Sequence, residues 1–93
     1  MAEALVIVFP IYQGVTLLDF AGPYQFLSRL PDTEVIVASL GGETVSADGL
    51  HFSALQPLEQ IERCDVLCVP GGLENDKEEI ISRLPNRVSG KLL

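Results

Sequence analysis

An apolar run near the start of the chain indicates the fold class. It reads Ala4-Leu5-Val6-Ile7-Val8-Phe9 and is ended by Pro10. The run is β-branched in its middle and does not alternate with polar residues, which is typical of a parallel strand buried on both faces. Two runs of the same kind follow, at Glu34–Ser39 and Asp65–Val69. The sequence therefore predicts three buried strands of a mainly parallel sheet.

Apolar residues at helical spacing predict a helix from Leu17 to about Leu30, ended by Pro31-Asp32. A second amphipathic helix is predicted at Glu74–Leu84, ended by Pro85-Asn86. The apolar stripe of the first helix consists of Phe20, Tyr24, Leu27 and Leu30, widened by Phe26.

A hairpin is predicted between the second and third runs, because Asp48-Gly49 separates two short β-prone pieces, Thr44–Ser46 and Leu50–Phe52. Leu55–Ile61 has room for one helical turn. The resulting order is typical of an α/β, flavodoxin-like doubly wound sheet with a β-hairpin insertion. Two helices cannot cover both faces of such a sheet. We therefore expect an incomplete sheet, from a truncated chain or one completed by a partner such as a second copy.

Composition narrows the function classes. The 93 residues make one small domain, and 13 acidic against 6 basic residues give a net charge of −7, which disfavours direct contact with nucleic acid. No run is long enough to span a bilayer, and the start at Met1-Ala2-Glu3 lacks the basic region of a signal peptide. A cytoplasmic protein without membrane contact is predicted.

Asp19 is the first candidate site residue, because it stands among apolar neighbours directly after the first strand. An ionised carboxylate is costly to bury without a partner. Two roles are open. Asp19 forms a capping box with Thr16 at the start of the helix, or it shares a proton with a nucleophile or substrate at the carboxyl edge of the sheet, where ligands bind.

The Pro70-Gly71-Gly72 sequence follows the third strand and is predicted to reach the same edge. Successive backbone amides at such a position can hold an anion or a developing oxyanion. The structural alternative is that the two glycines only make a tight turn.

The other reactive side chains point to structural roles. Cys64 and Cys68 have neither the spacing of a zinc site nor that of a redox motif, and Cys68 is predicted to lie in the core. Cys64 lies at the mouth of the strand with no neighbour that would lower its pKa. His51 is predicted to be a surface or structural residue. No P-loop or dinucleotide fingerprint is present, so neither a cofactor nor a metal is predicted.

Four segments carry a resemblance to a known family across about residues 4–73. In their order and spacing they resemble the DJ-1/PfpI family of the class I glutamine amidotransferase-like superfamily, and within it the isonitrile-hydratase-like branch. The segments are Val8-Phe9-Pro10, Leu18-Asp19-Phe20-Ala21-Gly22-Pro23-Tyr24, Ser46-Ala47-Asp48-Gly49-Leu50 and Asp65-Val66-Leu67-Cys68-Val69-Pro70-Gly71-Gly72.

The resemblance implies a flavodoxin-like domain, usually a homodimer, that acts on small molecules through a cysteine at a strand-to-helix elbow. Asp19 matches the acidic residue that contacts this cysteine in the isonitrile-hydratase-like branch. Gly71 and Gly72 match the glycine pair whose amides face the same pocket. In such enzymes the thiolate attacks the isonitrile carbon and water is added, which gives an N-substituted formamide.

The chain departs from the family at the nucleophile, because the elbow cysteine would lie beyond Leu93. Covalent catalysis requires that group. We therefore expect residues 1–93 to be the N-terminal part of one DJ-1/PfpI-type domain, inactive at this length and diverging after about residue 74. Arg87–Leu93 matches none of the family's elements. Two alternatives remain open: a ligand-sensing domain of an AraC-type transcription regulator, and a small non-catalytic protein completed by dimerisation.

Overall fold

The computed structural model describes residues 4–72, 74–82 and 91–92. Within them lie a five-stranded sheet of order β5-β2-β1-β6-β7, in which every described pairing is parallel, and a separate two-stranded hairpin. The elements in chain order are β1 (Leu5–Pro10), α1 (Leu17–Leu27), β2 (Thr33–Ser39), β3 (Val45–Ala47), β4 (Leu50–Phe52), β5 (Gln56–Pro57), β6 (Val66–Leu67), α2 (Glu74–Ser82) and β7 (Lys91–Leu92), with 3-10 turns at Leu40–Gly42 and Leu58–Gln60.

β1 is the central strand, as its apolar run predicts. It pairs with β2 along its whole length and with β6 through Ile7 and Val8. Adjacent side chains of a strand point to opposite faces, and the adjacent residues Val8 and Phe9 are both 0% exposed. The strand is therefore buried on both faces, and the predicted flavodoxin-like α/β arrangement is confirmed.

The predicted hairpin is also confirmed. Asp48 and Gly49 have φ angles of 50° and 86°, and positive values at both central residues are what a tight two-residue hairpin turn requires. The hairpin packs on α1, where the ring of Phe52 meets that of Phe20 edge-on at 5.4 Å.

α1 packs on β1 through aromatic rings, because Phe20 and Tyr24 lie 5.7 and 5.9 Å from Phe9. The prediction that the helix reaches Leu30 is wrong. The helix ends at Leu27, and the N–H groups of Arg29 and Leu30 donate to carbonyl oxygens only three residues back, as in a 3-10 turn. Phe26 does not widen the buried stripe and is 68% exposed, because it lies about 200° around the helix from Tyr24.

Cover over the sheet is uneven. Val35, Ile36 and Val37 of β2 are only partly buried, whereas β1 is buried from Val6 to Pro10. Ile80 of α2 lies in the same core and is 1% exposed. Among the described residues, β2 is therefore less covered than β1, and the expected incompleteness of the sheet stays a prediction. Neither described helix is long and apolar enough to cross a membrane.

Two short strands were not predicted, and one predicted strand is shorter than expected. β5 pairs with the end of β2, and β7 pairs with β6 in a stretch for which the sequence predicts no element. The Asp65–Val69 run forms ladder pairs only at Val66–Leu67, although Cys68 and Val69 are buried. The predicted helix end at Pro85-Asn86 lies outside the described residues.

Asp65 fixes the register of β6 on β1. Its Oδ2 atom accepts hydrogen bonds from the backbone N–H of Val6 at 2.8 Å and from Arg63 at 2.9 Å. Its own N–H donates to the carbonyl oxygen of Val6 at 2.8 Å. The Val6 N–H, helped by the Arg63 guanidinium, holds the pKa of Asp65 below its ordinary value of 3.8.

Truncation of the central aromatic ring is expected to destabilise the fold strongly. Phe9→Ala removes a fully buried ring and should lower the free energy of unfolding by about 3 to 5 kcal/mol. Phe26→Ala is the matched control, because that ring is exposed, and it should cost less than about 0.5 kcal/mol. Urea denaturation followed by circular dichroism measures both. Equal losses would contradict the placement of α1.

Acid should weaken the β1–β6 junction. A carboxyl whose pKa is lowered by folding stabilises the folded state above its unfolded pKa, and this contribution is lost as pH falls through the folded pKa. The urea concentration at half-unfolding should therefore decrease as the pH drops below about 4. Asp65→Asn should make this decrease smaller. Asp48→Asn in the hairpin turn is the control and should leave the acid limb unchanged. If Asp65→Asn lost stability in acid as steeply as the unmodified chain does, the role given to Asp65 would be contradicted.

Candidate active site at the carboxyl edge of the sheet

Asp19 lies in the first turn of α1, with an exposed side chain. The predicted capping box is wrong, because Thr16 precedes the helix but its side chain makes no capping hydrogen bond. The backbone N–H of Thr16, which a capping carboxylate would bind, donates instead to the carbonyl oxygen of Gly71 at 2.9 Å. Within the described residues, the carboxylate of Asp19 has no hydrogen-bond or ion-pair partner.

The structure brings Asp19 and Gly71 together. A β-carbon at position 71 would lie 2.7 Å from Oδ2 of Asp19 and 3.5 Å from its Cγ. The carboxylate therefore lies in the space that any other side chain at position 71 would begin to fill. The two residues meet across the edge where β1 and β6 end, as expected for parallel neighbours.

Gly72 lies even closer to its neighbours, and these are mainly backbone atoms of the chain between β1 and α1. A β-carbon there would lie 2.5 Å from the carbonyl oxygen of Gly14, 2.7 Å from the hydroxyl of Tyr12 and 2.9 Å from Cα of Val15. Gly72 also forms an isolated antiparallel bridge with Val15. The two glycines thus do more than make a tight turn, since each is in contact with the segment that leads into α1.

Tyr12 is the residue of this site that sequence reasoning missed. It is buried, and its hydroxyl donates to the carbonyl oxygen of Pro70 at 2.7 Å. We call residues Pro70–Gly72 the corner and residues Tyr12–Thr16 the loop. An aromatic residue with a polar tip, directly after a buried strand, was the only sequence signal for this contact.

Neither cysteine is activated. Burial raises the pKa of the Cys68 thiol, which lies in the core as predicted. Burial is also the main cause that raises the pKa of Cys64, and its thiol donates to the carbonyl oxygen of Val66 at 3.3 Å. Because the thiolate is the nucleophilic form, these thiols are poor nucleophiles. The chain contains no other cysteine.

His51 is exposed on the hairpin, as predicted, and its Nδ1 atom lies 2.8 Å from Oγ of Ser46. It borders an open groove of about 520 Å³ between α1 and the hairpin, lined also by Phe20, Tyr24 and Phe52. Among the described residues, no group of three or more His, Cys, Asp or Glu side chains could hold a metal ion.

No family model matches the chain. Over 70 residues, 74% of its length, the chain is 39% identical to the isonitrile hydratase of Pseudomonas putida. This match supports the predicted resemblance to the isonitrile-hydratase-like branch of the DJ-1/PfpI family over this part of the chain. The matched residues make up 31% of the Pseudomonas putida enzyme.

A solved structure supports the fold. The crystal structure of a ThiJ/PfpI family protein from Pseudomonas syringae matches 77% of this chain with a TM-score of 0.66 and 24% identity, using 30% of its own length. At that identity the likeness shows the fold alone. The chain spans about a third of each of the two proteins, so their activities apply to it only as a proposal.

The two glycines should respond differently to the same substitution. Gly72→Ala forces its β-carbon against backbone atoms of Gly14 and Val15 and should lower the free energy of unfolding by about 1 to 3 kcal/mol. Gly71→Ala meets only the end of the Asp19 side chain, which can rotate away, so the change should stay below about 1 kcal/mol. Urea denaturation of the pair measures the difference. A larger loss for Gly71→Ala would contradict the described contacts.

Proposed function

We propose that this chain supplies the acidic and backbone-amide half of an active site of the isonitrile-hydratase type. The observation that carries the proposal is the position of the Asp19 carboxylate, directly against Gly71 at the carboxyl edge of a parallel sheet. The identity to an isonitrile hydratase over 74% of the chain supports the choice of reaction.

The arrangement suits proton transfer beside a nucleophile. In the proposed reaction a cysteine thiolate attacks the isonitrile carbon, the carbon and nitrogen each gain a proton, and the oxygen of water replaces the thiolate. The net change is R–NC plus H₂O to R–NH–CHO. Asp19 would hold and deliver protons, since its carboxylate is exposed and engages no described partner.

The backbone N–H groups of Gly71 and Gly72 could stabilise the negative charge that develops in the proposed reaction. The N–H groups of Gly71 and Gly72 donate to no carbonyl oxygen among the described residues. They lie in the corner that the Asp19 carboxylate contacts. Backbone donors fixed before the reaction stabilise an anion without the cost of reorganisation.

The nucleophile must come from a further polypeptide segment. Cys68 is buried, and Cys64 precedes β6 at the end of the strand away from the corner. Both thiols are held in the protonated form by burial. We therefore propose that the 93 residues alone do not hydrate isonitriles. The homodimer, the cytoplasmic location and the AraC-type alternative stay predictions.

A chimera tests the proposal. Residues 4–72 replace the aligned segment of the Pseudomonas putida isonitrile hydratase, and formamide release from an alkyl isonitrile is measured. The chimera should be active, and Asp19→Asn should lower kcat by about 10²- to 10⁴-fold, the usual contribution of a positioned acid or base. The 93-residue chain should release no formamide above the buffer rate.

Asp48→Asn is the matched control, because Asn-Gly suits the hairpin turn as well as Asp-Gly does. It should leave kcat of the chimera within about a factor of two. A folded chimera without activity, full activity of Asp19→Asn, or hydration by the 93 residues alone would each refute the proposal.

A further inference from the structure

We propose that Tyr12 is a positioning residue, which holds the corner at a fixed distance from the carboxylate of Asp19. Its effect on catalysis rests on the function proposed above, whereas its effect on the geometry does not. Tyr12 does not touch the carboxylate in the described contacts and would act through Pro70, Gly71 and Gly72.

The first argument is the hydrogen bond itself. The Tyr12 hydroxyl donates to the carbonyl oxygen of Pro70 at 2.7 Å, and both residues are buried. Pro70 has no N–H, so its carbonyl is the backbone group by which the sheet edge can hold it. A buried carbonyl that loses its donor is costly to leave unpaired, which makes this contact a strong restraint.

The second argument is that the loop contacts the three corner residues in succession. Tyr12 binds Pro70 through its side chain, Thr16 binds Gly71 through its N–H, and Val15 forms a bridge with Gly72. The Tyr12 hydroxyl also lies 2.7 Å from where a β-carbon of Gly72 would be. The hydroxyl therefore limits the position of Gly72 together with the backbone atoms of Gly14 and Val15.

The third argument is the position of Asp19, three residues after Thr16. Thr16 is the residue from which α1 begins, so the loop that holds the corner also sets the start of the helix that carries the carboxylate. Of the three contacts, only the one from Tyr12 is made by a side chain. It is thus the one that substitution can remove without changing the backbone.

The test uses Tyr12→Phe in the 93-residue chain, which keeps the ring and removes the hydroxyl. Amide hydrogen exchange by NMR should show about tenfold faster exchange at Thr16, whose N–H crosses to the corner. The Asp19 carboxyl carbon should change its chemical shift. The Cys68 amide, bonded to Val8 within the sheet, should exchange at its original rate. Tyr24→Phe, the change of the only other tyrosine, should leave all three signals unchanged.

Unchanged exchange at Thr16, or an equal rise at Thr16 and Cys68, would overturn the proposal, because either result leaves Tyr12 without a local role. If Tyr12→Phe does not fold, Gly72→Ala replaces it. That variant places a methyl group against the Tyr12 hydroxyl and so separates the corner from Tyr12, and it must give the same local change at Thr16 and Asp19. No change there would equally overturn the proposal.

A kinetic measurement separates this inference from the proposed function. In the chimera, Tyr12→Phe should lower kcat about tenfold and leave KM nearly unchanged, since it misplaces groups without removing a substrate contact. An unchanged kcat in Tyr12→Phe, together with a large loss in Asp19→Asn, would refute the role of Tyr12 and leave the proposed function standing. Full activity in Asp19→Asn would refute the proposed function, and the exchange data would still decide the geometry.

Discussion

The close approach of two backbone segments at the carboxyl edge of the sheet is the constraint on which the site depends. The carbonyl oxygen of Gly14 lies so near Gly72 that no β-carbon fits between them. β1 leads into the first segment and β6 into the second, and these strands are paired neighbours. Because parallel strands end at the same edge, their connections must pass each other there. Glycine at position 72 lets them do so in contact.

The sequence was sufficient for those parts of the fold that depend on a pattern within one segment. The uninterrupted apolar run around Val8 predicts a strand buried on both faces, and Asp48-Gly49 predicts the hairpin. The meeting of Asp19 with Gly71 was also predictable, although they are far apart in the chain. It follows from a rule of topology, since Asp19 lies at the start of the helix after one parallel strand and Gly71 follows the neighbouring strand.

Contacts between a side chain and a distant backbone group were not predictable in this way. The Tyr12 hydroxyl meets a carbonyl 58 residues away, and no periodicity in either segment reports such a contact. The capping box failed for the same reason, because the N–H of Thr16 is taken by Gly71. The prediction for Phe26 was wrong because it relied on the hydrophobicity of the side chain and not on its angular position around the helix. The two-residue strands β5 and β7 are too short to show a pattern of their own.

Burial is divided unequally between the parts of the site, and this division has a physical reason. An exposed carboxylate such as that of Asp19 keeps its hydration and costs little without a partner, whereas a buried one requires compensation. Tyr12 and Pro70 are buried and joined by a hydrogen bond, which in the proposed site would hold the corner in place before a substrate binds. Asp19, by contrast, is exposed and has no partner among the described residues. That combination, a rigid backbone with a hydrated titratable group against it, is what preorganised proton transfer needs. This arrangement requires the core to accommodate the buried hydroxyl group of Tyr12.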